Sequence, residues 1–200
     1  MHKTIFPFET KITYEQRKRM MMQEPQLIWL TGLSGAGKTT LAVQLEHYFF
    51  HKNYKVYVLD GDNIRNGLNR DLLFSKEDRM ENLRRVSEVA KLFLDAGFIV
   101  ICAFISPYLN DRALIREIVG EQRFIEVFVS CSLEVCEGRD VKGLYHKARK
   151  GIIPEFTGIS SPYEEPPSPD VEVRTAEESV EESLAKIIQY IEPKLQVCYE

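Results

Sequence analysis

A short apolar run, a glycine-rich turn and a helical stretch follow one another near the start of the chain. The apolar run is Leu27–Thr31, the sequence GLSGAGKT fills residues 32–39, and apolar side chains recur with helical spacing over residues 38–50. A strand, the pattern G-x-x-x-x-G-K-[S/T] and a helix in this order are typical of a phosphate-binding P-loop. The glycines let successive amides turn inward, and the helix brings its positive dipole end to the same anion.

Two side chains of this loop are expected to carry chemistry. Lys38 should reach the β- and γ-phosphates of a nucleotide, and the hydroxyl of Thr39 should ligate Mg²⁺. A glycine turn ahead of a helix without function is the alternative. The strand before the loop, the helix after it and the complete pattern together argue against that alternative.

Further apolar runs predict the rest of the sheet. Strands are expected at residues 55–60, 98–104 and 124–130, with a weaker one at 171–173, and helices at 38–50, 78–96 and 176–190. Apolar strands that alternate with helices favour a parallel sheet covered on both faces. We therefore predict an α/β P-loop NTPase fold with about five strands, as a single domain over residues 25–200 behind an N-terminal arm at 1–24.

Composition excludes several classes of protein. The 200 residues carry 26 Lys and Arg against 30 Asp and Glu, a balance that argues against a dedicated nucleic-acid binder. No apolar run reaches the roughly 18 residues that a membrane span needs, and residues 1–24 do not resemble a signal peptide, so we expect a cytoplasmic protein. Cys102, Cys131, Cys136 and Cys198 form no metal-binding pattern, and we expect reduced thiols.

A pair of carboxylates follows the second predicted strand. Asp60 and Asp62 flank Gly61 in the sequence VYVLDGDN, and on an extended chain both would point to the same side. We assign Asp60 to Mg²⁺, through water, and Asp62 to an acceptor hydroxyl as general base or orienting group. A solvated turn is the alternative. The guanine-reading pattern N-K-x-D is absent from the sequence, which favours a small-molecule kinase over a GTPase.

A basic segment follows the fourth predicted strand. Residues 139–150 contain five Lys and Arg but only one acid, Asp140. We predict a basic lid over about residues 139–160 that closes on phosphates, with Gly143 and Gly151 as hinges. The alternative for its lysines is a solvent-exposed charged surface that binds no phosphate. The cations are Arg139, Lys142, Lys147, Arg149 and Lys150.

Six sequence blocks together resemble the adenylylsulfate kinase, or APS kinase, family. They are GLSGAGKTT, DGDNIR, FSKEDRMENLRR, FISPY, LEVCEGRDVKGLYHKAR and IPEFTGISSPYEEP, in this order over residues 27–169. The resemblance implies transfer of the γ-phosphoryl group of MgATP to the 3′-hydroxyl of adenosine 5′-phosphosulfate (adenylyl sulfate). It also implies a homodimer, and it leaves open a functional partnership with an ATP sulfurylase.

The resemblance implies two sets of binding residues, with Lys38 and Asp62 as catalytic residues. The ATP set is Gly32, Leu33, Ser34, Gly35, Ala36, Gly37, Lys38, Thr39, Thr40 and Arg139. The adenylyl sulfate set is Asp62, Arg65, Phe74, Arg79, Asn82, Ile105, Ser106, Lys142, Leu144 and Phe156. Guanidinium groups suit the oxyanions of such a ligand, and an aromatic ring suits its base.

Some of these residues have a second interpretation. Ser106 matches a serine associated in the family with a phosphorylated intermediate, but direct transfer needs no such step, and we favour a pocket-lining or structural role. Arg79 could belong to the solvated face of helix 78–96, on which Glu81 and Arg85 form an i,i+4 pair. Asn66 stands where the family usually has His, which puts any proton-transfer role of that position in doubt.

Two other functions remain open at this stage. Another P-loop kinase of a small metabolite or nucleoside would share GLSGAGKT and DGDN but need not carry FISPY, KGLY or FTGI. A nucleotide-dependent binding module without turnover would need no carboxylate on the acceptor side. Asp62 and the basic lid therefore favour an enzyme.

Overall fold

The computed structural model describes residues 10–197, so residues 1–9 of the predicted arm and Cys198 lie outside it. Five parallel strands form one sheet in the order β2-β3-β1-β4-β5. This arrangement confirms the predicted α/β fold. The strands are β1 Leu27–Thr31, β2 Val56–Asp60, β3 Ile99–Ala103, β4 Phe124–Ser130 and β5 Val171–Arg174.

Helices connect and cover the strands. The α-helices of the described residues are α1 Tyr14–Met21, α2 Lys38–His51, α3 Gly61–Asn66, α4 Lys76–Asp95, α5 Leu109–Val119, α6 Leu133–Arg139, α7 Leu144–Arg149 and α8 Val180–Ile191. The predicted start of the last helix at residue 176 was wrong. Ser179 and Glu182 form a capping box that begins α8, while the amides of Glu177 and Glu178 both donate to Arg174 O in a turn.

The sheet has an apolar core on each face. Side chains alternate along β1, so that Leu27 and Trp29 pack with α4 and α5, whereas Ile28 and Leu30 pack with α2 and α8. All four are fully buried. Burial on both faces explains why β1 reads as a continuous apolar run.

Residues after α1 pack at the amino-terminal edge of the sheet. The side-chain amide of Gln23 donates to Lys55 O at 2.9 Å and to Gly97 O at 2.8 Å, and its oxygen accepts from the amide of Lys55. Lys55 and Gly97 stand just ahead of β2 and β3. Residues 14–24 therefore lie away from the edge that carries the P-loop.

The predicted site residues lie at the opposite edge of the sheet, at the carboxyl ends of the strands. The P-loop follows β1, Asp60 ends β2, and Ser106 follows β3. Because β1 lies between β3 and β4, a crevice opens beyond its end, where ligands bind in sheets of this kind. Within residues 10–197 the structure has no helix long and apolar enough to cross a membrane.

Candidate active site

The P-loop needs glycine where the chain leaves β1. Gly32 has a φ of 151°, and a Cβ built there would lie 2.5 Å from the carbonyl oxygen of Val129. A side chain at this position would force the loop away from β4. Glycine therefore holds the start of the loop tightly against the sheet.

The loop ends at an uncapped helix. Gly37, with a φ of 99°, is the N-cap of α2 and has no side chain to accept from the amides of the first turn. Those amides have no acceptor within the helix. Together with the dipole of α2, these amides have the chemistry that a phosphate group needs.

Lys38 lies buried against the same loop. Its ammonium donates to the carbonyl oxygens of Gly32 at 2.9 Å and Leu33 at 2.7 Å, and only 8% of the residue is exposed. Burial lowers the pKa of Lys38 to about 8. A phosphate beside the ammonium would favour its charged form and raise this pKa again.

Asp60 joins the P-loop to the end of β2. Its carboxylate accepts from the hydroxyl of Thr39 at 2.9 Å and from the amide of Asp62 at 3.0 Å. The second bond caps α3, so the expected extended chain through Asp60 and Asp62 was wrong. Asp62 instead lies in the first turn of a helix, where a carboxylate is stabilised by the dipole.

Asp62 forms an ion pair with the lid. The ammonium of Lys142 contacts Oδ2 of Asp62, and 58% of the Lys142 side chain and 68% of the Asp62 side chain are exposed. Pairs this exposed contribute at most about 1 kcal/mol. A ligand can therefore open this pair at little cost.

An arginine and an aromatic ring lie together between α3 and α4. The guanidinium carbon of Arg65 is 4.5 Å from the ring centroid of Phe74, and Nη1 donates to Leu73 O at 2.8 Å. Phe74 is 60% exposed. The pair thus presents a flat ring next to a cation at the protein surface.

Arg79 connects this region to the lid. Its guanidinium donates to Phe74 O at 2.9 Å, to the hydroxyl of Thr157 at 2.9 Å and to Glu155 O at 2.5 Å. The next arginines face elsewhere: Arg85 forms the predicted pair with Glu81, which also binds Arg84. Arg79 is therefore the one of these three that the structure brings to the lid.

Two residues that were predicted to contact adenylyl sulfate, Asn82 and Ser106, form hydrogen bonds within the protein. Asn82 is 3% exposed and accepts from Asn69 at 2.9 Å. Ser106 is 2% exposed and has a φ of 39°. Its hydroxyl accepts from Trp29 Nε1 at 3.0 Å and donates to Thr31 at 2.9 Å, contacts that favour a structural role.

We expect Ser106→Ala to retain most of the activity. The substitution leaves Trp29 Nε1 without its buried acceptor, which should lower the free energy of unfolding by about 1–3 kcal/mol. Steady-state kinetics and thermal unfolding measure the two effects separately. A loss of turnover by orders of magnitude in a folded variant would instead indicate an obligatory phosphoserine.

The predicted lid, residues 139–160, begins at the last residue of α6 and contains α7 and the chain that follows. Gly143 and Gly151 flank α7 with φ values of 64° and 71°, and a Cβ on either would meet nothing within 4 Å. Leu144 packs against the core, and Phe156 is 8% exposed. Ile105 is half-buried after β3. All three apolar side chains are at least partly buried in the protein.

Arg139 lies at the far side of the P-loop. It donates to Gly35 O at 3.2 Å and to Thr175 O at 2.5 Å. The lid cation Arg149 is turned away and pairs with Glu137 at 2.9 Å. Of the basic segment, Arg139 contacts the P-loop and Lys142 contacts Asp62.

Two residues that contact the P-loop, Tyr145 and Thr175, were not predicted from the sequence. Tyr145 donates to Ser34 O at 2.8 Å, and Thr175 donates to Ala36 O at 2.7 Å. Tyr145 lies within the quoted block KGLY, which is the one signal that could have indicated it. Thr175 follows β5 without a motif, and only the tertiary structure brings it to the loop.

Known proteins resemble this chain over most of its length. The family profile described as Adenylylsulphate kinase matches residues 24–174. An adenylyl-sulfate kinase of Geotalea uraniireducens is 53% identical over 183 residues, which are 92% of this chain and 86% of that protein. An adenylyl-sulfate kinase of Bacillus licheniformis is 51% identical over 191 residues, 96% of this chain and 97% of that protein.

A solved structure agrees with these matches. It is described as the Mycobacterium tuberculosis APS kinase CysC in complex with AMPPNP and APS, and it superposes with a TM-score of 0.81 at 46% identity. The superposition covers 84% of this chain and 98% of that one. The profile match contains the P-loop, the carboxylates after β2 and the lid. The chain therefore belongs to the adenylylsulphate kinase family.

Proposed function

We propose that the chain is an adenylyl-sulfate kinase, which transfers the γ-phosphoryl group of ATP to the ribose 3′-hydroxyl of adenosine 5′-phosphosulfate and yields 3′-phosphoadenylyl sulfate and ADP. Family membership supports this activity. The observation that carries it is the contact chain from Thr39 through Asp60 to Asp62. These contacts support the proposal because they tie the first turn of α3, which carries Asp62, to the residue that follows the P-loop lysine.

ATP is held by the P-loop in this proposal. The inward amides and the first turn of α2 receive its phosphates, and Lys38 neutralises the β- and γ-oxygens. At an effective dielectric constant of about 20, the Coulomb attraction between one cation and a phosphoryl oxygen about 4 Å away is about 4 kcal/mol before the cost of desolvation. Arg139, which donates to Gly35 O, would lie beside the adenine and phosphates of ATP.

Thr39 and Asp60 fit a Mg²⁺ site. Their oxygens lie 2.9 Å apart, and hydroxyl and carboxylate oxygens are ligands that Mg²⁺ accepts. Among the described residues, no three His, Cys, Asp or Glu cluster as a full metal cage. This agrees with an ion that takes its other ligands from phosphates and water. The ion would neutralise charge on the transferred group.

Asp62 acts on the acceptor. Its exposed carboxylate accepts the proton of the 3′-hydroxyl, which orients the oxygen for in-line attack on the γ-phosphorus. Lys142 leaves Asp62 as the nucleotide enters and binds its anionic groups. Arg65 and Phe74 supply the cation and the ring for the sulfate-phosphate and the base. Transfer then depends on positioning and charge neutralisation.

Three parallel assays test this function. ATP consumption is measured with adenylyl sulfate, with adenosine monophosphate and without an acceptor. We expect stimulation by adenylyl sulfate alone, with formation of 3′-phosphoadenylyl sulfate. Equal stimulation by adenosine monophosphate would favour another nucleoside-type P-loop kinase. A rate with adenylyl sulfate no higher than the blank would contradict the proposed activity.

Three finer expectations stay predictions. They are a homodimer, a functional partnership with an ATP sulfurylase and a cytoplasmic location. Sedimentation of the purified chain tests the first. Coupled synthesis of 3′-phosphoadenylyl sulfate from ATP and sulfate, with and without an added sulfurylase, tests the second.

A further inference from the structure

Side chains donate hydrogen bonds to the carbonyl groups of the P-loop. Lys38 donates to the first two, those of Gly32 and Leu33. Three other residues hold the next three in turn. Tyr145 donates to Ser34 O, Arg139 to Gly35 O and Thr175 to Ala36 O. Five consecutive carbonyls are thus engaged by hydrogen-bond donors.

The orientation of each carbonyl fixes the amide that follows it. In a trans peptide the carbonyl oxygen and the next amide hydrogen point in opposite directions, and the described chain has no cis peptide. Because Ser34 O points to Tyr145, the amide of Gly35 points away from Tyr145. In a P-loop that is the side on which the phosphates lie.

Tyr145 is a rigid donor. It is 1% exposed, and its ring packs edge-on against Phe156 with 5.0 Å between the centroids. Burial raises the pKa of the Tyr145 phenol well above its ordinary value, so the hydroxyl keeps its proton at neutral pH. Its amide donates to the carboxylate of Asp140, which fixes the first turn of α7. The hydroxyl therefore has little freedom to leave Ser34.

We propose that Tyr145 is a positioning residue for ATP: its hydroxyl holds the Ser34–Gly35 peptide in the orientation that receives phosphate, and so couples lid helix α7 to the P-loop. This inference rests on the proposed function only in requiring that the loop binds ATP. Tyr145 has no contact with the transferred group in this account. It acts through the backbone of Ser34.

Tyr145→Phe tests the proposal because it removes the hydroxyl and keeps the ring. We expect the dissociation constant of the Mg²⁺ complex of AMPPNP, measured by calorimetry, to rise about fivefold, as for the loss of one hydrogen bond. The KM for ATP should rise by a similar factor. The KM for adenylyl sulfate should change less than about twofold, since the contact with Phe156 remains.

Tyr190→Phe is the matched control. Tyr190 lies on α8, and its hydroxyl donates to Asp170 at 2.9 Å, away from the P-loop. The substitution Tyr190→Phe should leave AMPPNP binding unchanged. The rise in melting temperature that AMPPNP produces gives a second measurement, and it should be smaller for Tyr145→Phe than for Tyr190→Phe.

Two results would overturn the proposal. One is an unchanged dissociation constant for AMPPNP in folded Tyr145→Phe. The other is an equal rise of KM for both substrates, which would indicate general loosening of the lid. The binding experiment needs no acceptor, so it still decides the role of Tyr145 if adenylyl sulfate fails to stimulate turnover.

Discussion

Replacement of Lys38 by alanine should lower kcat/KM by about a thousandfold or more while the fold stays intact. The ammonium is held by Gly32 O and Leu33 O beside the phosphate site, and its interaction of about 4 kcal/mol with a phosphoryl oxygen corresponds to this factor. The fold should tolerate the change because burial already disfavours the charged form, as the lowered pKa shows. Steady-state kinetics and thermal unfolding measure both effects.

Lys52→Ala provides a matched lysine control. Lys52 follows the other end of α2, where its exposed side chain lies 3.9 Å from Glu192. Its loss should change neither activity nor ATP binding. Unchanged activity in Lys38→Ala would contradict the P-loop assignment. Unfolding of Lys38→Ala would contradict the expectation that the fold tolerates the loss of this side chain.

Asp62→Asn should lower kcat by about 10²–10⁴-fold, the usual contribution of a positioned general base. Asparagine keeps the shape of the side chain but cannot accept the proton of the acceptor hydroxyl. Binding of MgATP should change little, because the lost ion pair with Lys142 is exposed. Single-turnover kinetics measure the chemical step, and calorimetry measures MgATP binding.

Two further variants show whether the Asp62 carboxylate acts on the acceptor or on the metal. Asp60→Asn should weaken MgATP binding, since Asp60 contacts Thr39 at the proposed metal site. Asp71→Asn, in an exposed pair with Arg85, should have wild-type activity. Equal losses of turnover and MgATP binding in Asp62→Asn would assign Asp62 to the metal instead.

The sheet and the P-loop could be predicted because their signals are local. β1 and β3 are buried along their whole length, so each appears as an apolar run. The P-loop needs its glycines and lysine at fixed spacing within one segment. The sequence therefore predicted the strand, the glycine-rich loop and the helix that follows it without knowledge of the fold.

Two other features were not predicted: one is a local helix cap, and the other depends on contacts between distant segments. The short helix α3 forms because the Asp60 carboxylate accepts from the amide of Asp62, whereas the sequence favoured an extended turn. The buried partners of Ser106, Trp29 and Thr31, lie more than seventy residues away along the chain. Such pairings arise only when parallel strands come together. The resemblance indicated these positions, but it did not indicate which atoms they contact.

A crystal structure with AMPPNP and adenylyl sulfate bound together tests the central claim most directly. The account predicts triphosphate on the P-loop amides and the ribose 3′-oxygen about 3 Å from the Asp62 carboxylate, in line with the γ-phosphorus. Arg65 and Phe74 should contact the second nucleotide. A second nucleotide bound away from Asp62 and Arg65 would contradict the account.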